Sequence, residues 1–157
     1  AVSATEIRAL YLPPSCCVLW QTPCKGANIM FSIVVVSHSE KLAKGVAEVA
    51  KMMARDVTIV AAGGMEDGSL GTSYEKIAAA IDKAYTDDGV AIFMDMGSAV
   101  MTAEMVLESM SDRRLKLIDA PLVEGVVLAA VEAASGTALE DLAGKMQQAH
   151  DMHKIEI

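Results

Sequence analysis

The sequence predicts an α/β domain of the flavodoxin-like, doubly wound kind: four or so mostly parallel strands in the order 2-1-3-4, with helices on both faces. Three observations carry this expectation. Short β-branched runs alternate with amphipathic stretches from Met30 to the C-terminus. That alternation is the mark of βαβ units with right-handed crossovers. The polar and glycine-rich residues gather where these runs end. The chain has 157 residues, 53% of them hydrophobic and 22% charged, which suits one folded domain and excludes a disordered chain.

Phe31-Ser-Ile-Val-Val-Val-Ser37 reads as a buried parallel strand. Leu42, Val46, Val49 and Met53 then recur on one face of a helix, with Glu40, Lys41, Lys44 and Lys51 elsewhere on it. Val57-Thr-Ile-Val60 is the second strand, ending at Gly63-Gly64. Residues 65–73 are a loop by their Gly, Asp and Ser content. Tyr74, Ile77, Ile81 and Ala84 mark the second helix. Gly89-Val-Ala-Ile-Phe-Met-Asp95 is the third strand, and a third helix spans about Ser98 to Met110, with Met101, Glu104 and Met105 on its turns. Arg114-Leu-Lys-Leu-Ile118 is a less apolar strand, suited to an edge. An Ala/Val helix follows from Leu122 to Ala134, and a last helix begins with Thr137 as its expected N-cap. Eleven methionines and only 4% aromatics predict an aliphatic, Met-packed core.

Residues 1–29 differ in composition. They hold all three cysteines, the only tryptophan and three of the four prolines. We read them as a non-native or extension segment, and residues 30–157 as the functional domain. The alternative is an authentic extension in which Ser3 and Glu6 cap a short helix before Pro13. With no cysteine after Met30, the domain has no internal disulfide, compatible with a cytoplasmic location. A net charge of −8 argues against nucleic-acid binding, and the absence of a long uncharged apolar run argues against a membrane span.

An open parallel sheet binds ligands beyond the carboxyl ends of its strands, at the switch point. Those ends carry Ser37-His38-Ser39, Gly63-Gly64, Asp95-Met96-Gly97-Ser98 and Asp119-Ala-Pro121. No nucleotide-cradling G-x-x-x-x-G-K-[ST] or G-x-G-x-x-G loop, and no G-x-S-x-G elbow, is present. A metal needs several convergent ligands; His150 and His153 read as a solvated tail, so neither a cofactor nor a metal is expected. His38 stands at a strand end and a helix start, where free N–H groups suit a phosphoryl group and an imidazole can act as a nucleophile toward phosphorus. The bland alternative is a packed or capping histidine. Asp95, at the end of the neighbouring third strand, can accept from His38 Nδ1–H and leave Nε2 free, or can cap the third helix, as can Ser98.

Taken in order, Ile33-Val-Val-Val-Ser-His-Ser39, Ala61-Ala-Gly-Gly64 with Asp67-Gly68 and Gly71-Thr-Ser73, Asp95-Met-Gly-Ser98 and Asp119-Ala-Pro-Leu-Val-Glu-Gly125 resemble one family. It is the phosphotransferase subunit of the phosphoenolpyruvate-dependent dihydroxyacetone kinase, with a domain similar to the mannose-type IIA domain of the sugar phosphotransferase system. The resemblance covers Met30 to about Met146. It implies a phosphohistidine carrier in which His38 is phosphorylated by the carrier protein HPr, itself charged by enzyme I, and passes the group to ADP on the ADP-binding kinase subunit. Asp95 would orient the ring, and Ser39, Gly97 and Ser98 would bind the phosphoryl oxygens. Gly63, Gly64, Met65, Leu70 and Met96 would form the rim that meets partners. Related domains pair, and the apolar helix from Leu122 to Ala134 suits a homodimer. Two other functions remain open on sequence: a mannose-type sugar transporter IIA component, and a noncatalytic small-ligand sensor. The Gly63-Gly64-x-x-Asp67-Gly68 loop and the Asp119–Gly125 segment favour the dihydroxyacetone branch.

Overall fold

The β-branched run after Met30 forms the centre of the sheet. The computed structural model describes residues 30–151 and Ile155. The reading of residues 1–29 as an extension, and the position of His153, lie outside the described residues. The elements are β1 (Ser32–Ser37), α1 (Glu40–Met53), β2 (Ile59–Gly63), α2 (Tyr74–Ala84), β3 (Val90–Met94), α3 (Ser98–Ser109), β4 (Leu115–Ile118), α4 (Leu122–Ala134) and α5 (Leu139–His150). The four strands pair in parallel in the order β2-β1-β3-β4, as the alternation predicts.

Both faces of β1 are covered, because successive side chains point to opposite faces of a pleated strand. Ile33 and Val35 join the core shared with α1, α4 and α5, and Val34 and Val36 join the core shared with α2 and α3. Phe31 and Phe93 are fully buried in the first of these layers. β4 pairs only with β3 and is less buried than the central strands, which fits its mixed Lys116-containing sequence.

Several sequence expectations need correction. The core face of α1 is Ala43, Val46, Ala47 and Ala50, whereas Leu42, Val49 and Met53 are exposed. Small side chains let α1 lie close to the sheet, so alanine spacing, not the largest apolar residues, defines the buried face. The core is aliphatic but is not Met-packed: Met146 is fully buried, while Met52, Met53, Met65, Met96, Met101 and Met105 are exposed. β2 begins at Ile59 and extends to Gly63, later than the Val57–Val60 run suggests, because its ladder with β1 sets its limits. Thr137 does not cap α5; the N-cap position is Ala138, and the Thr137 hydroxyl donates to Glu132. His150 is the last residue of α5 rather than part of a free tail, and its Nε2 lies 3.1 Å from the carbonyl of Asp119.

Gly63 is required by a close approach. A Cβ built there would lie 2.5 Å from the carbonyl oxygen of Ser39 and 2.8 Å from Glu40 Cα. These are backbone atoms at the start of α1 and cannot move aside alone. Gly63→Ala should therefore destabilise the domain by about 1–3 kcal/mol, the usual scale of overpacking. Urea unfolding of both proteins measures this, and an unchanged midpoint would show that the helix start yields freely.

Candidate functional site

The chain crosses from one side of β1 to the other at the β1–β3 boundary, so the crevice of the doubly wound sheet opens at the carboxyl ends of these two strands. Register decides what meets there. Val36 pairs with Met94, and the N–H of Asp95 donates to the carbonyl of Val36 at 3.2 Å. Asp95 therefore lies beside Ser37 and His38.

The Asp95 carboxylate accepts four hydrogen bonds. Oδ2 takes the hydroxyl of Ser37 at 2.9 Å and the backbone N–H of His38 at 2.8 Å. Oδ1 takes the backbone N–H of Met96 at 2.7 Å and lies 3.0 Å from His38 Nδ1. Burial pushes the Asp95 carboxyl up, but hydrogen bonds from the N–H groups of His38 and Met96, from Ser37 and from the His38 ring outweigh it. The net result is a carboxyl held below its ordinary range. An ionised carboxylate can only accept, so it fixes the proton of a neutral His38 ring on Nδ1 and leaves the Nε2 lone pair available.

Nε2 faces the opposite way, 2.8 Å from Ser98 Oγ. Ser98 opens α3, whose N-cap position is Gly97, at φ +55°, a backbone conformation that favours glycine. Neither Asp95 nor Ser98 caps α3 through its side chain. Ser98 Oγ lies 3.3 Å from Thr72 Oγ1, which lies 3.3 Å from Thr102 Oγ1. Ser39 is the N-cap of α1: its hydroxyl accepts from the N–H of Leu42 at 3.3 Å, and its own N–H donates to Ser37 Oγ at 3.0 Å.

The β2–α2 loop is pinned against this site. The N–H of Gly64 donates to the Ser37 carbonyl at 3.1 Å, and that of Gly71 to the His38 carbonyl at 2.9 Å. Lys76 Nζ donates to the carbonyls of Gly63 and Met65, at 2.9 and 3.2 Å. The His38 side chain keeps 32% of its surface exposed and that of Asp95 only 15%. Outside the polar centre, Leu70 and Met96 are more than two-thirds exposed and Met65 over one-third. Among the described residues, no three His, Cys, Asp or Glu side chains are grouped to hold a metal ion, and no helix is long and apolar enough to cross a membrane. Sequence reasoning assigned no role to Ser37, Thr72 or Thr102. Thr72 stands in the Gly71-Thr-Ser73 segment and Ser37 at a strand end, but Thr102 carries no signal beyond its helical spacing of four from Ser98.

Comparison with known proteins decides the family. The family model described as the phosphotransferase system fructose IIA component, EIIA-man, matches residues 32–143. The chain belongs to the EIIA-man family. Among its EIIA-man relatives, the phosphotransferase subunit DhaM of the dihydroxyacetone kinase of Lactococcus lactis is 32% identical, over 75% of this chain and 94% of that protein. The phosphoryl donor subunit DhaM of dihydroxyacetone kinase 2 of Listeria innocua is 38% identical, over 77% of this chain and all of its own length. A solved protein of unknown function has a TM-score of 0.69 and 32% identity, covering 82% of this chain and 98% of its own. The mannose/sorbose-specific IIA subunit of Enterococcus faecalis, at 21% identity and a TM-score of 0.57, covers 82% of this chain and 96% of its own and shares the fold.

The lowered Asp95 carboxyl fixes the direction of a pH effect. A group with a depressed folded-state pKa contributes stability that is present above its unfolded pKa and is lost as pH falls through the folded one. Asp95→Asn should be destabilising at neutral pH, with the gap to the native protein narrowing as acid protonates the native carboxyl. Urea unfolding at a series of pH values measures the gap, and one that does not vary with pH would show that the Asp95 charge adds nothing to stability.

Proposed function

We propose that this protein is the phosphohistidine carrier of a dihydroxyacetone kinase, accepting a phosphoryl group from phospho-HPr on His38 and passing it to ADP on the kinase subunit. The observation that carries this reading is the paired geometry of His38, with Nδ1 on an ionised carboxylate and Nε2 turned to the open crevice beside Ser98. The relatives named as DhaM, at 31–41% identity, favour this branch over a sugar transporter component or a sensor.

In the first step the Nε2 lone pair forms a bond to phosphorus as the N–P bond of the donor histidine breaks. The Nδ1 proton stays on the ring, and Asp95 stabilises the positive charge that grows there. In the second step the Nε2–P bond breaks as a terminal oxygen of ADP takes the phosphoryl group. The transition state is loose, so positioning and charge stabilisation supply most of the catalysis. Ser98, Ser39 and the backbone at Gly97 bind the phosphoryl oxygens, using the partial positive charge at the start of a helix. No resident cofactor or metal is required; any divalent cation travels with ADP.

Transfer between partners demands that water be kept out. The exposed apolar rim of Met65, Leu70 and Met96 is where partners close over His38, whereas Gly63 and Gly64, expected in that rim, are buried against the start of α1 and shape the loop instead. Methionine adapts its shape to different surfaces, which suits a site that meets two partners in turn. A second apolar surface lies on α4, where Val123, Val127, Leu128 and Val131 line a shallow groove. Val123, Val127 and Val131, four residues apart, form one stripe with Leu128 beside it, which a second copy of the chain can match in a homodimer.

Incubation with phosphoenolpyruvate, enzyme I and HPr should add one phosphoryl group, measured by intact mass under non-acidic conditions. His38→Ala should abolish labelling with the fold retained, and Leu70→Asp should slow it with the site intact. Full labelling of His38→Ala would overturn the assignment. Sedimentation at micromolar concentration should give a dimer that Val127→Asp dissociates, and a native monomer would remove the α4 interface.

A further inference from the structure

We infer that Thr72 is a positioning residue for phosphoryl transfer at His38, one that acts through Ser98. The inference rests on the carrier reading above, and its evidence is the hydroxyl cluster on the Nε2 side of the ring.

Each hydroxyl has one proton to donate, and the described partners fix where each goes. The Thr102 hydroxyl donates to the backbone carbonyl of Ser98 at 2.7 Å, which uses its only proton. Thr102 Oγ1 is then an acceptor toward Thr72, 3.3 Å away. Thr72 is then the only hydroxyl with a proton left for either neighbour, and its one proton is shared between Thr102 Oγ1 and Ser98 Oγ, each 3.3 Å away. With Nδ1–H held by Asp95, Nε2 is an acceptor, so the Ser98 proton points at it over 2.8 Å. Toward the ring the polarity has one direction: Ser98 Oγ accepts its share of the Thr72 proton, and the Ser98 hydroxyl donates to Nε2. Donation into Ser98 Oγ strengthens the bond that Ser98 donates onward.

Phosphorylation forces this arrangement to change. Once the Nε2 lone pair is committed to phosphorus, it can no longer accept the Ser98 proton. The nearest new acceptors are the phosphoryl oxygens on that same nitrogen. Ser98 swings its proton to one of them, and the Thr72 hydroxyl, fixed from behind by Thr102, keeps Ser98 Oγ in place as it does so. No proton leaves the cluster, and the N–P bond is the only covalent bond formed on this protein. The backbone supports the placement of Thr72: Gly64 and Thr72 bridge across the loop, and the neighbouring Gly71 N–H is tied to the carbonyl of His38. The loop thus moves with the histidine it serves.

The test uses the full chain with Thr72→Val, which keeps the branched shape and removes the hydroxyl, and Thr72→Ser, which restores it. In the unphosphorylated protein, the 15N resonance of His38 Nε2 should move toward the value of a non-hydrogen-bonded ring nitrogen in Thr72→Val and return in Thr72→Ser. The rate of phosphoryl uptake from phospho-HPr should fall about tenfold in Thr72→Val, the scale of one lost hydrogen bond, and recover in Thr72→Ser. On a Ser98→Ala background, Thr72→Val should have no further effect, because the route through Ser98 is already gone. A native Nε2 resonance in Thr72→Val, or additive effects of Thr72→Val and Ser98→Ala, would overturn the inference. Failure of the native protein to take up phosphate would instead overturn the carrier reading, since the resonance test needs no phosphoryl donor.

Discussion

The Asp95 carboxylate ties the ends of the two central strands together, and the site depends on it. It receives donors from Ser37, from the backbone of His38, from the His38 ring and from Met96. Three of these come from the end of β1 and its exit, and one from the residue after Asp95 itself. A single acceptor thus sets both the path of the chain leaving β1 and the tautomer of the histidine carried on it. Structural and chemical roles are not separable here, because the two oxygens of one carboxylate perform them: Oδ2 holds Ser37 and the His38 backbone, and Oδ1 meets the ring.

The parallel ladder makes that economy possible. β1 is buried on both faces by aliphatic side chains, and its pairing with β3 leaves no freedom in register. A slip of one residue would turn every core side chain to the other face of the sheet. The two large cores therefore hold the strand ends at a fixed offset, and that offset brings His38 and Asp95 within hydrogen-bonding distance. The close approach of α1 over Gly63 carries the same rigidity to β2, whose loop brings Thr72 to the far side of the imidazole.

The rim has the opposite character. Its methionines and Leu70 are exposed, and the turn beneath them is held by local bonds such as those from the Ser69 N–H and hydroxyl to Asp67. A rigid polar centre ringed by adaptable apolar side chains suits a group that is passed between proteins. The His38 ring is held by Asp95 and Ser98, while the exposed side chains of Met65, Leu70 and Met96 around it can adapt their shape. Met65 and Met96 lie on the surface, where composition alone suggests that methionine fills the core.

The sequence by itself determined the alternation of strand and helix, the strand order and the clustering of polar residues at the strand ends. The alternation and the polar ends are local, since β-branched runs and glycine-marked ends need no partner to be recognised, and the strand order follows from the doubly wound class that the alternation implies. His38, Asp95 and Ser98 were legible because each stands at an element boundary, where the fold class already places ligands. Tertiary structure alone decided which face of α1 is buried, since closeness to the sheet rewards Ala43, Ala47 and Ala50 over the larger Leu42 and Met53. It also decided the limits of β2, which follow from hydrogen bonding to β1, and the capping of α5 without Thr137. Above all it brought Thr72 from 26 residues before Ser98 to meet both Ser98 and Thr102, which share α3. A hydroxyl side chain is common in loops and on helices, and only contact across elements shows that Thr72 meets the hydroxyls of α3.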